Sequence, residues 1–292
     1  MLKPLILQET FPISPTDPEA VLQVYAVPGG EKRPAMLVFP GGGMMYLADT
    51  EAEPIARYYA AHGYQPFVVR YSVGPVHGKY PALLQEVSRA VWHVRSNAER
   101  YGVDPDRIVC CGFSAGAHVI TMFATHYHLP MSREHTDVPE GGNAISATVT
   151  GYTPTTMETL VDDIKKLPPE SQARWEEGIR NRTLGGWAML DEPGTFFGEL
   201  SSLTSHAAVN EATPPAFLWQ TTTDLPSNSW EYAMALKRFG KLYELHYFSD
   251  PQRCLSMNFD PELYEDPKKV EVNSATWPEM SLHWLDLILG KN

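Results

Sequence analysis

The chain has 292 residues, 43% of them hydrophobic and 20% charged, enough to bury a sizeable core and too apolar for a disordered chain. With 23 Lys+Arg against 35 Asp+Glu it carries a formal charge of -12, which disfavours a nucleic-acid partner, since no basic patch interrupts it. No apolar run approaches the ~18 residues of a membrane span, and the three cysteines, two adjacent and one remote, offer neither a disulfide framework nor a CxxC metal spacing.

These counts point to a single soluble domain over 1–292, reduced and cytoplasmic, with too short an apolar group in Met1 to Pro12 for a signal peptide. Val21 to Val27 alternates as a strand. Ala35-Met36-Leu37-Val38-Phe39 is a continuous apolar run, suited to a strand buried on both faces, and Gly41-Gly42-Gly43 ends it. A helix is expected over Glu53 to His62, then a buried strand from Pro66 to Tyr71. Leu84, Val87, Val91 and Val94 recur at helical spacing between Pro81 and Tyr101. Asp104-Pro105-Asp106 reads as a turn, and Arg107 opens the third buried strand, Ile108-Val109-Cys110-Cys111.

Gly112-Phe113-Ser114-Ala115-Gly116 follows that strand without a gap and leads into a helical run to about Thr125. A fourth strand is expected over Ile145 to Thr150. Residues 155–205 differ in texture, polar and punctuated by Pro and Gly, and read as an inserted helical cap with pieces near Met157 to Lys166 and Glu170 to Arg182. The strand Ala216 to Trp219, a helix from Trp230 to Phe239, the strand Tyr243 to Phe248, an acidic loop and a helix from Pro278 to Leu289 complete the chain. Strands alternating with helices imply an α/β fold, a mostly parallel central sheet with helices on both faces.

Strand, sharp turn, helix is the setting in which GxSxG has chemical meaning. The serine sits on a strained turn with its Oγ exposed, and small residues two positions either side let neighbouring backbone approach. Ser114 is therefore the candidate nucleophile. A carbonyl attacked by Ser114 develops an oxyanion, which needs preorganised N–H donors. The glycine run after the first buried strand, Pro40-Gly41-Gly42-Gly43, can expose backbone amides, and the Ala115 amide would join them.

The chain here resembles the α/β-hydrolase esterases of the acetyl-xylan-esterase and feruloyl-esterase-like group, related to hormone-sensitive-lipase-like carboxylesterases. The resemblance rests on Phe39-Pro40-Gly41-Gly42-Gly43, Gly112 to His118, Gly151-Tyr152, Leu200-Ser201-Ser202-Leu203, Thr213 to Trp219, Tyr243 to Phe248 and Trp277. It implies an α/β-hydrolase fold, Ser114 as nucleophile, and Gly42, Gly43 and Ala115 as oxyanion donors. The implied substrates are small acyl esters, acetylated or feruloylated sugars among them, and the acyl-enzyme route requires no metal and no organic cofactor. The implied acid is Asp224, in Gln220-Thr221-Thr222-Thr223-Asp224-Leu225-Pro226, although the loop after it is about two residues shorter than the family pattern. Asp224 reads equally as a cap of the following helix.

Where the family carries its catalytic histidine this chain reads Ser249-Asp250-Pro251-Gln252-Arg253-Cys254-Leu255-Ser256. Arg253 holds the base position, and a guanidinium with a pKa above ~12 does not accept a serine proton. Beyond Asp224 only His246, inside a strand, and His283, in the last helix, remain, and both read as structural. His77, in the loop Gly74-Pro75-Val76-His77-Gly78 after a strand's carboxyl end, is a candidate substrate-binding residue or stand-in base. His118 reads as a packing residue, and His126, His128 and His135 as a solvated loop rather than a metal site.

Three accounts stay open: a recruited base, altered chemistry in which Arg253 binds an anionic group, or a catalytically silent hydrolase-fold protein that binds a small ligand or a partner. Arg253 paired to Asp224 would suit the last. Trp175, Trp187, Phe196 and Phe197 of the cap read as pocket walls or, preferably, as packing of the cap on the sheet. A dinucleotide site is set aside, because neither GxGxxG nor a P-loop lysine accompanies the glycines. The expected partner is a small-molecule ester, with neither nucleic acid nor membrane, and a homodimer is compatible with the sequence.

Overall fold

The computed structural model describes residues 2–27, 32–159, 165, 169, 172, 189–224, 228–250, 256–258, 260–268 and 272–290. Among them runs an eight-stranded sheet in the order β1-β2-β4-β3-β5-β6-β7-β8. The strands are β1 Ile6–Pro12, β2 Val21–Ala26, β3 Arg33–Phe39, β4 Gln65–Arg70, β5 Val103–Phe113, β6 Ala147–Gly151, β7 Ala216–Thr221 and β8 Tyr243–Phe248. β1 and β2 pair antiparallel and β2 meets β4 antiparallel; from β4 to β8 every pairing is parallel. The helices are α1 Glu53–Ala61, α2 Gly74–His77, α3 Ala82–Ser96, α4 Ala98–Tyr101, α5 Ala115–His126, α6 Ser229–Arg238 and α7 Trp277–Ile288.

The continuous apolar runs explain the layering. Side chains alternate across a strand, so in β3 Ala35, Leu37 and Phe39 face one side, packed with Val87 and Val91 of α3 and Ile120 of α5. Met36 and Val38 face the other, with Ile55 and Tyr59 of α1 and Trp284 and Leu285 of α7. Both faces of the central strands are thus covered, which is why those strands lack an apolar-polar alternation.

Parallel register then aligns the ends of neighbouring strands. Phe39 pairs with Gly112, Phe113 with Gly151, Gly151 with Trp219 and Thr221 with Phe248. Pro40, Ser114, Tyr152 and the turn after Thr221 therefore emerge side by side along one edge, where open α/β sheets bind their ligands.

Four local expectations are corrected. β1 is an additional edge strand, unannounced because its burial pattern is mostly exposed. Asp104-Pro105-Asp106 is not a free turn but part of β5, where the register against β3 jumps between Arg33 and Ala35. The helix expected from Pro81 to Tyr101 breaks at Asn97 into α3 and α4. The fourth strand begins at Ala147.

The helical pieces expected near 157–166 and 170–182, with Trp175 and Trp187, lie largely outside the described residues. In the described remainder of 155–205, Met157, Met189, Phe197 and Leu203 join the core formed with α3 and α5. Phe197 lies 5.1 Å from the Tyr80 ring and 5.7 Å from that of His126, as packing requires, whereas Phe196 is exposed. No described helix is long and apolar enough to cross a membrane.

Candidate active site

Between Ile108 and His126 every residue is buried except Ser114. Its backbone stands at φ 50°, ψ -118°, between the end of β5 and the first residue of α5, and its amide donates to the Gly151 carbonyl at 3.1 Å. A non-glycine residue in that region costs about 1–3 kcal/mol, and the packed strand and helix on either side hold it there. The turn is the elbow that the GxSxG spacing predicts.

The glycine run lies against this elbow. A Cβ added to Gly41 would stand 3.0 Å from Ser114 Cβ and 2.8 Å from the Phe113 carbonyl oxygen. Gly42 and Gly43 adopt φ of 137° and 64°, which suit glycine and let the chain double back. The Gly42 carbonyl accepts the amides of Met45 and Tyr46, and the Gly41 carbonyl accepts that of Ala48. Gly41 donates to Glu51 at 2.7 Å. The amides of Gly42, Gly43 and Ala115 find no acceptor among the described residues.

Two further residues, Glu51 and Tyr152, join the turn to the elbow, and their part in the site was not foreseen from sequence. Glu51 is buried; one carboxylate oxygen accepts the Gly41 amide and the other accepts the Tyr152 hydroxyl at 2.5 Å. Burial pushes its carboxyl up to about 6, although both hydrogen bonds oppose the rise. Tyr152 sits at φ 39°, directly after the Gly151 that receives the Ser114 amide, and donates its own amide to the Trp219 carbonyl. Tyr71 donates to the Pro40 carbonyl at 2.7 Å and steadies the start of the run.

Asp224 is buried in the turn after β7, its carboxylate accepting the Thr221 amide at 2.5 Å. The helix-capping alternative fails: α6 starts at Ser229 with Asn228 as its N-cap. Arg253 lies outside the described residues. Asp250, two residues beyond β8, accepts the amides of Asn273 and Ser274 at 2.6 and 2.8 Å. Burial pulls its carboxyl up, but the hydrogen bonds from Ser274 and Asn273 together hold it below the usual carboxylate range.

Among the histidines, His118 is buried with Nδ1 2.8 Å from the Pro154 carbonyl oxygen, tying α5 to the segment after β6, as a packing residue should. Burial lowers its pKa to about 4. His246 Nε2 lies 2.6 Å from Glu244 within β8, and His283 is exposed on α7. His128 and His135 are exposed, but His126 is not part of a solvated loop: it is buried at the end of α5 with Nδ1 2.8 Å from the Met122 carbonyl oxygen. His77 is half-buried on the short turn α2, whose Gly74 donates its amide to the Met44 carbonyl at 2.7 Å, next to the glycine run.

Known proteins resemble this chain in sequence and in fold. Over 224 residues the chain is 33% identical to an endo-1,4-beta-xylanase B from Butyrivibrio fibrisolvens, covering 74% of this chain and 31% of that protein. It is 32% identical over 118 residues to the esterase LipQ of Mycobacterium tuberculosis, covering 39% and 28% respectively. The chain thus spans about a third of the length of the curated relatives it matches. An acetyl ester-xyloside bifunctional hydrolase from Caldicellulosiruptor lactoaceticus superposes with a TM-score of 0.71 at 26% identity, over 97% of both chains. The α/β hydrolase MGS-M1, from a deep-sea metagenome, gives a TM-score of 0.69 at 25% identity over 98% of this chain and 99% of that one. Residues 22–229 match the BD-FAE family model, a span that holds the glycine run, the Ser114 elbow and Asp224. With the fold matched over nearly its whole length and the family model over its central strands, the chain belongs to the BD-FAE family, an esterase-type group of α/β-hydrolases.

Proposed function

We propose that this protein is a serine carboxylesterase for small acyl esters, with acetylated or feruloylated sugars as the substrate class. One observation carries the reading: a strained, incompletely buried Ser114 beside a glycine turn whose Gly42 and Gly43 amides have no acceptor among the described residues. Ser114 Oγ bonds to the ester carbonyl carbon while Gly42, Gly43 and Ala115 donate to the oxyanion. The alcohol leaves with a proton, and water releases the acid from the acyl-enzyme. Asp224 is the proposed acid. The names of two relatives, a xylanase and an acetyl ester-xyloside hydrolase, support the sugar esters.

The base is the unusual element. Arg253 does not accept the Ser114 proton, so turnover requires a base from another position, and His77, whose turn is bonded to the end of the glycine run, is the candidate. Without a base, only the ~10³–10⁴-fold acceleration from the oxyanion hole and binding remains. A second reading is a catalytically silent protein that holds a small anionic ligand through Arg253. It is favoured by the histidines beyond Asp224, one paired to Glu244 and one exposed on α7.

A fluorophosphonate probe and p-nitrophenyl acetate separate the two readings. The esterase labels at Ser114, loses label and turnover in Ser114→Ala, and hydrolyses the ester well above background; His77→Ala abolishes turnover if His77 is the base. Absence of labelling and turnover in the wild type, with turnover gained in Arg253→His, establishes the silent protein. Anionic esters that bind more tightly than neutral ones, with the preference lost in Arg253→Ala, identify its ligand.

A further inference from the structure

We propose that Glu51 is a positioning residue: its carboxylate, clamped between the Gly41 amide and the Tyr152 hydroxyl, holds the glycine turn in place against the Ser114 elbow. The inference deepens the esterase reading and rests on it. Glu51 comes from the short turn Asp49–Glu51, which is fixed from outside by the Tyr264 hydroxyl donating to the Thr50 carbonyl at 2.5 Å. Its two oxygens serve different strands. Gly41 follows β3, and Tyr152 follows β6, whose Gly151 carbonyl receives the Ser114 amide. The parts of the site that must keep a fixed separation thus meet at one carboxylate.

No cationic side chain pairs with Glu51 among the described residues; Tyr71, Tyr152, Tyr264 and Cys111 are the titratable groups around it. A buried carboxylate without a counter-ion is retained against its solvation cost, and here its contacts are two donors of the site. Because the Gly41 amide is taken by Glu51, it does not compete for the oxyanion, and the next two amides are left for it. Loss of the clamp would free Gly41 and let the turn drift, and a shift of about 1 Å costs roughly 100-fold in rate.

Reach, not charge, is the property at issue. Glu51→Asp keeps the charge but is one methylene too short to span both contacts. Glu51→Gln keeps the length, accepting from Gly41 and donating to Tyr152. Expected for Glu51→Asp is a kcat lower by about 10- to 100-fold with KM nearly unchanged. Glu51→Gln recovers most of that loss. Amide exchange of peptides covering residues 40–46, followed by mass spectrometry, is expected to quicken by about 10-fold in Glu51→Asp and to stay near wild type in Glu51→Gln. Where Glu51→Asp does not fold, Tyr152→Phe removes one contact alone and is expected to quicken exchange in the same peptides. An inactive wild type refutes the esterase reading and leaves the exchange arm decisive. Exchange in Glu51→Asp, or in Tyr152→Phe where it replaces it, equal to wild type overturns the clamp, as does Glu51→Gln behaving like Glu51→Asp.

Discussion

A Cβ built on Gly116 would lie 2.2 Å from the carbonyl oxygen of Phe39 and 2.6 Å from that of Pro40. Helix α5 therefore begins in direct contact with the backbone that leads into the glycine run, and the elbow and the turn are set by one close approach. Both contacting atoms are backbone, so neither yields as a flexible side chain would. Gly116→Ala is expected to destabilise the fold by about 1–3 kcal/mol and to abolish probe labelling of Ser114. Urea unfolding alongside labelling checks this; a variant with wild-type stability would show that the two backbones are not in contact.

The same elbow makes a second prediction, because Ser114 holds φ 50° with a Cβ. Ser114→Ala keeps the strain and loses the hydroxyl, so its midpoint of unfolding should match wild type closely while labelling disappears. Ser114→Gly relieves the strain, at an entropic cost to folding of about 0.5–1 kcal/mol because glycine leaves the unfolded chain freer. The net expectation is a glycine variant about 1 kcal/mol more stable than the alanine variant. Equal denaturant midpoints would remove the claim that the elbow stores strain.

Much of this geometry was legible in the sequence because its signals are local. The apolar run Ala35 to Phe39, the glycines after it, and the strand-turn-helix around Ser114 each declare themselves within about ten residues. What was hidden depends on distant partners. Glu51 reads as one of several acids before a helix, where negative charge suits the dipole, and only its contact with Tyr152, 101 residues away, takes it into the core. Asp104-Pro105-Asp106 carries turn chemistry and serves it as an irregularity inside the β3–β5 pairing. β1 declares itself weakly because Ile6 and Leu7 are exposed and only Glu9 and Phe11 are partly buried.

His118 gives the fold an acid limit. Its pKa falls from 6.5 to about 4 because burial disfavours the charged ring. The unfolded chain therefore binds the proton first, and stability present above about 6.5 is lost as pH falls toward about 4, by about 3 kcal/mol in all. His118→Asn keeps a donor for the Pro154 carbonyl and does not titrate. It should be less stable than wild type at pH 7.5, where only packing is lost, and flatter between pH 6.5 and 4.5. Parallel stability curves for the two proteins, measured by urea unfolding at several pH values, would refute the assignment.

Two buried carboxyls act in the opposite sense. Burial pushes Glu86 up from 4.5 to about 7, although the Ser72 amide and hydroxyl donate to it at 2.9 and 2.5 Å, and pushes Glu51 up to about 6. For each, the folded state holds its proton more tightly than the unfolded chain. Stability is therefore full below about 4.5 and declines as pH rises, by about 3 kcal/mol through about 7 for Glu86 and about 2 kcal/mol through about 6 for Glu51. Glu86→Gln can accept the Ser72 amide and donate to its hydroxyl, so it removes the titration while keeping both contacts. Expected at pH 8 is a variant at least as stable as wild type, with the difference shrinking to zero or reversing near pH 4.5. A Glu86→Gln deficit that stays constant from pH 4.5 to 8 would mean that Glu86 is ionised throughout, contrary to its burial.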